Sequence, residues 1–152
     1  MGKVLYDIYK VKNVKSPVNG RFFGRVVPTE TMDTEGLAQH IAEHGSVFTE
    51  DVVNGVLDKA RRCILELLLD SKKVKLNGLG TFYLSAHNRK GGADTLEDFS
   101  VTKNIQGLHI RFLPDQSDSK NLSAKTLFQK ANFKWAEELK RESAESKPDP
   151  EP

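Results

Sequence analysis

The stretch Lys72–Ser85, KKVKLNGLGTFYLS, constrains the fold more than any other. Val74 and Leu76 alternate with Lys73 and Lys75, the period of a strand with one oily and one wet face. Asn77-Gly78-Leu79-Gly80 predicts a tight turn, because Asn and Gly reach positive φ at little steric cost. Phe82 and Leu84 then resume the alternation. A hairpin therefore sits mid-chain, and its flanks must cover its oily side.

Two helices are predicted upstream. Asp33 suits an N-cap, with Glu35 in the first turn and Met32 and Leu37 spaced as a hydrophobic staple. Leu37, Ala38, Ile41 and Ala42 form that helix's stripe, and Gly45 stops it. Thr49 caps the second helix, where Val52, Val53, Val56, Leu57, Ala60, Ile64, Leu67 and Leu68 keep one face apolar over about five turns. Leu65 and Leu69 broaden the stripe beyond half the circumference. A helix this oily wants cover on more than one side, and a second copy of the chain is the simplest source.

Downstream, Leu84–Arg89 and Phe99–Lys103 predict paired strands with Gly91-Gly92 near the tip. Leu108, Ile110 and Phe112 alternate with His109 and Arg111, a strand that closes the sheet. Ser123 is placed to cap a last helix carrying Leu127, Phe128, Ala131, Trp135 and Leu139. Ahead of the helices, Val4–Lys12 and Arg21–Val27 predict an N-terminal β-hairpin around the breakers of NVKSPVNG. The expected organisation is a hairpin extension packed on the domain at 1–28, the main domain at 29–141 and a disordered tail at 142–152.

With 152 residues, 38% hydrophobic and 29% charged, the chain suits one soluble domain with extensions. One cysteine excludes a disulfide framework and a cysteine-based zinc site. No run is apolar enough for a membrane span, and the N-terminus lacks the core of a secretory signal. Tyr6 stands where a myristoylation signal would want Ser or Thr, so a cytoplasmic protein is expected. The formal charge of +2 is unevenly spread. Residues 1–27 carry Lys3, Lys10, Lys12, Lys15, Arg21 and Arg25 against Asp7. A basic end on a near-neutral body suits a polyanion.

The order of elements, with Leu37-Ala38 and Ile41-Ala42-Glu43 followed by Val74-x-Leu76-x-Gly78-Leu79-Gly80-Thr81-Phe82, resembles the HU/IHF family of histone-like DNA-binding proteins. The likeness covers roughly Met32 to Leu139, and Ile105–Pro114 with the N-terminal extension looks like the longer HU-like proteins of the Bacteroides group. It implies an α+β fold: two helices, a sheet with a protruding arm and a C-terminal helix, assembled as an intertwined homodimer. The implied function is to bind, bend or compact double-stranded DNA of the bacterial nucleoid with little sequence specificity. By position, Arg89 and Lys90 fall on the outgoing arm strand and Lys103 on the returning one, and Arg21 and Arg25 of the basic hairpin share or replace their role. The family's arm-tip Arg-Asn-Pro is absent here, and Asp94, Glu97 and Asp98 sit in the arm. Fewer phosphate contacts imply weaker binding and a shallower salt dependence.

Blander readings stand beside these. Lys72, Lys73 and Lys75 keep an outward strand face soluble, and Cys63 is expected in the core. His40 and His44, four apart on a helix, lack a third metal ligand, and Gly78-x-Gly80 is a turn rather than a phosphate loop. No nucleophile triad or carboxylate pair stands out, so neither enzyme activity, a small-molecule substrate nor a cofactor is expected. The rival function is an HU-fold interaction module that recognises a protein or other surface ligand instead of DNA.

Overall fold

The computed structural model describes residues 2–45, 47–117 and 121–145. In chain order the elements are β1 (Lys3–Lys10), β2 (Phe22–Val26), α1 (Thr34–Glu43), α2 (Glu50–Leu69), β3 (Val74–Leu76), β4 (Gly80–Asn88), α3 (Val101–Asn104), β5 (Ile105–Pro114), α4 (Ala124–Lys130), β6 (Asn132–Trp135) and α5 (Ala136–Glu145). Contacts divide the α+β chain into two units, 32–126 and 1–31 with 127–152. Boundaries at 28/29 and 141/142 were expected; in the structure β6 pairs with β1 of the N-terminal hairpin.

The unit at 32–126 begins where Asp33 Oδ1 accepts the Gly36 N–H at 2.9 Å, capping α1. Thr49 takes the N-cap position of α2 in extended conformation but makes no side-chain capping bond. The helices pack on each other, burying Ala38 and Leu68. Much of the second stripe stays open: Val52, Val56 and Leu67 are exposed and Cys63 is only half-buried, not in a closed core.

The three-stranded sheet of this unit has the order β3-β4-β5, antiparallel throughout. Phe82 lies opposite both Val74 and Phe112, and the two phenyl rings are 4.9 Å apart. The hairpin turns as its glycines demand. Gly78 has φ +83°, and a Cβ on Gly80 would stand 2.4 Å from the Leu113 carbonyl oxygen. Asp115, nearly buried, ties the turn to the end of β5: its Oδ2 accepts the Gly78 N–H at 2.8 Å and its own N–H donates to Leu79 O at 3.0 Å. N–H donation from Ser117 first, then Gly78, holds its carboxyl at about 2, below the ordinary 3.8.

In the other unit, β1 pairs antiparallel with β2 and parallel with β6, giving the order β2-β1-β6. Here the expectation of one continuous last helix is corrected. The helical run stops at Lys130, residues 132–135 form a strand beside Lys3–Tyr6, and a new helix starts at Ala136. Asn132 is a weak helix former, and Phe133 and Trp135 at a spacing of two serve a strand as well as a helix. The open edge of β1 decides between them. The expected disordered tail is also shortened, since α5 extends to Glu145, and residues 146–152 lie outside the described ones.

Candidate nucleic-acid interface

Pairing in the β3-β4-β5 sheet sorts its side chains onto two unlike faces. Alternation from the Lys75–Thr81, Tyr83–Arg111 and Ser85–His109 pairs puts Lys73, Lys75, Thr81, Tyr83, Ser85, His87, His109 and Arg111 on one side, together with Leu113 opposite Thr81. Asp115, just past β5, is the acidic neighbour of that set and interacts with Lys75. Val74, Leu76, Phe82, Leu84, Ala86, Leu108, Ile110 and Phe112 take the other side. Residues of both faces, Lys73, Tyr83 and Ser85 as well as Leu84, Ala86 and Leu108, join Leu68 and Leu69 of α2 around a cavity of about 290 Å³.

The polar side is held by short local bonds. Arg111 Nε donates to Ser85 Oγ at 3.1 Å, and the Lys73 ammonium lies 5.5 Å from the centre of the Tyr83 ring. His87 Nδ1 and His109 Nε2 are 2.8 Å apart, which requires one nitrogen to be neutral and accept. Sequence reasoning had treated Lys73 and Lys75 as solubilising residues and had not joined His87 to His109. Alternation within each strand was already visible, but the register uniting the three strands was not.

The three arm cations do not sit on paired strands as expected. Paired strand ends at Asn88 and Ile105, after a register shift next to His87. Arg89 and Lys90 follow just beyond β4, and Lys103 lies on the helical turn α3 rather than on a returning strand. The Phe99–Lys103 strand is corrected for the same reason. Buried Asn104 closes the excursion instead: its carbonyl accepts the Arg89 N–H at 2.8 Å and its Oδ1 accepts the Ser100 N–H at 3.0 Å. Thr95 Oγ1 donates to Asp98 at 2.7 Å, so one arm carboxylate is engaged locally. Arg89, Lys90 and Lys103 are all exposed.

Arg21 and Arg25 belong to the other unit and are exposed there. Arg25 reaches the Asp7 carboxylate at 2.8 Å, and its guanidinium stands 5.8 Å from the Tyr9 ring centre. Arg21 closes the connection, accepting the Val11 N–H at 2.9 Å through its carbonyl. Arg25 also lines, with Tyr6, Gly24, Val26, Phe128 and Phe133, a mostly apolar cavity of about 410 Å³. The His40 and His44 rings lie 4.4 Å apart, and among the described residues no group of three or more His, Cys, Asp or Glu could hold a metal ion. No described helix is long and apolar enough to cross a membrane.

Fold and site together define an α+β protein whose small antiparallel sheet carries mostly apolar side chains on one face and Lys73, Lys75, Arg111 and two histidines on the other. The family described as "HU domain fused to wHTH, Ig, or Glycine-rich motif" matches residues 3–130, and the chain belongs to it. Among solved structures the chain is similar to the Anabaena HU–DNA cocrystal structure, at 22% identity and a TM-score of 0.43 over 56% of this chain and 90% of that one. No curated protein matches the chain.

Proposed function

We propose that this protein is a histone-like architectural protein that binds and bends or compacts double-stranded DNA as a homodimer, with little sequence preference. Membership of an HU-domain family supports the reading, and the basic sheet face carries it at the level of residues. Lys73, Lys75 and Arg111 offer charge for phosphates, and the Asp115 carboxylate is an acidic neighbour of Lys75. Arg89, Lys90 and Lys103 extend that charge past the paired strands, and Arg21 and Arg25 are further cations on the hairpin unit. Contacts of this kind read backbone and groove shape rather than base edges. A place on the nucleoid follows from the same reading.

The test is a duplex titration by fluorescence anisotropy at several salt concentrations on unrelated sequences. Arg89→Ala with Lys90→Ala is expected to weaken binding similarly on each sequence and to reduce the salt slope by about four, one per cation lost from the two chains of the dimer. An unchanged affinity, or a loss on one sequence alone, would overturn the assignment.

A further inference from the structure

The duplex reading uses the charge of the N-terminal hairpin and leaves its aromatic rings idle. Tyr9 and Phe23 are direct partners across β1 and β2, so they share one face. Their ring centres are 6.2 Å apart with planes tilted by 32°. Each ring is only half covered: Tyr9 is 42% exposed and Phe23 41%. The next pair on that face is Asp7 with Arg25, whose guanidinium lies over Tyr9. Within the unit, β6 does not cover these rings, because Phe133 pairs with Val4 and Trp135 with Tyr6 on the opposite face.

Two neighbouring aromatic rings on adjacent strands, edged by an arginine, form a platform on which unpaired bases stack. A duplex keeps its bases inside and gains nothing from such rings. Charge selects the ligand class. Residues 1–27 hold six basic side chains against Asp7, and Lys10, Lys12, Lys15 and Arg21 gather at the end of the hairpin nearest the Tyr9–Phe23 pair. An apolar protein partner would not need that excess, whereas a phosphate backbone does.

We propose that the β1–β2 hairpin is a second nucleic-acid surface, one that takes single strands, with Tyr9 and Phe23 stacking bases and Arg21 and Arg25 meeting phosphates. It goes beyond the duplex function and does not depend on it.

The experiment uses the full chain with labelled oligothymidylate, oligouridylate and a duplex of equal length, read by anisotropy. Tyr9→Leu with Phe23→Leu keeps apolar cover and removes the π faces. Single-strand affinity is expected to fall about ten- to hundredfold, while duplex affinity stays within about twofold. Tyr9→Phe should retain single-strand binding. Preference for oligothymidylate or oligouridylate identifies DNA or RNA as the source of the strand. Equal losses on single strand and duplex, no loss on either, or a wild-type protein indifferent to both oligonucleotides would overturn the proposal. Ultraviolet crosslinking of the wild-type protein needs no variant: adducts in 3–26 support it, and adducts confined to 73–111 overturn it.

Discussion

Gly80 and Asp115 show how single residues fix the turn on which the basic face depends. A methyl group at Gly80 would meet the Leu113 carbonyl and the Phe112 ring at 2.4 and 2.6 Å, with no flexible side chain to give way at the carbonyl. Gly80→Ala is expected to destabilise the protein by about 3 kcal/mol, read from urea midpoints. Asp115 makes stability depend on acid. Its folded carboxyl titrates at about 2 against an ordinary 3.8, so on acidification the unfolded chain takes up the proton first. Its contribution is intact above the unfolded value and is lost as pH falls from about 4 towards about 2. Urea midpoints measured down this window should drop more steeply for the wild type than for Asp115→Asn. Parallel curves would show that the two N–H bonds do not discriminate between the charged and neutral carboxyl.

At the scale of elements, α2 carries the weight. Leu68 is 1% exposed and lies where the helix meets the sheet, so Leu68→Ala should cost about 2–5 kcal/mol. A midpoint shift worth less than about 1 kcal/mol would mean that this junction repacks easily. This helix was legible from residues alone, because its stripe keeps a 3.6 period and acidic Glu50 and Asp51 mark its start. The β3–β4 hairpin was equally legible, since only a glycine turn fits Asn77–Gly80. The segment after Lys130 was not. Leu127, Phe128, Ala131 and Trp135 satisfy a helix, while Phe133 and Trp135 satisfy a strand, and the deciding edge is β1, more than a hundred residues earlier. The excursion after β4 escaped for a related reason. Its shape rests on Asn104, whose side chain and carbonyl together hold both ends, and no local pattern announces that. The candidate site was half legible: exposed cations could be named, but the face that unites Lys73, Lys75 and Arg111 needed the strand register.

For the whole molecule the question is what covers the surface that one chain leaves oily. Val52, Val56, Cys63 and Leu67 recur along α2 at intervals of four, seven and four, a single stripe turned away from Leu68. Val56 is 62% exposed, and on β5 Leu108 and Ile110 are 58% and 55% exposed. So much apolar surface is more than a lone soluble chain ordinarily presents, and burying it against its own copy covers the stripe on both partners at once. Sedimentation should therefore give about twice the 17.0 kDa chain mass. If two copies meet along this stripe, Val56→Asp with Leu67→Asp places four carboxylates in the seam and is expected to yield monomers, because unpaired charges there cost several kcal/mol. Duplex affinity should fall with the dimer even though every cation of the sheet face is still present, since two linked faces bind with an avidity that one lacks. Monomers that bind duplex as tightly as the wild type would place the whole interface within one chain and remove the need for a partner copy.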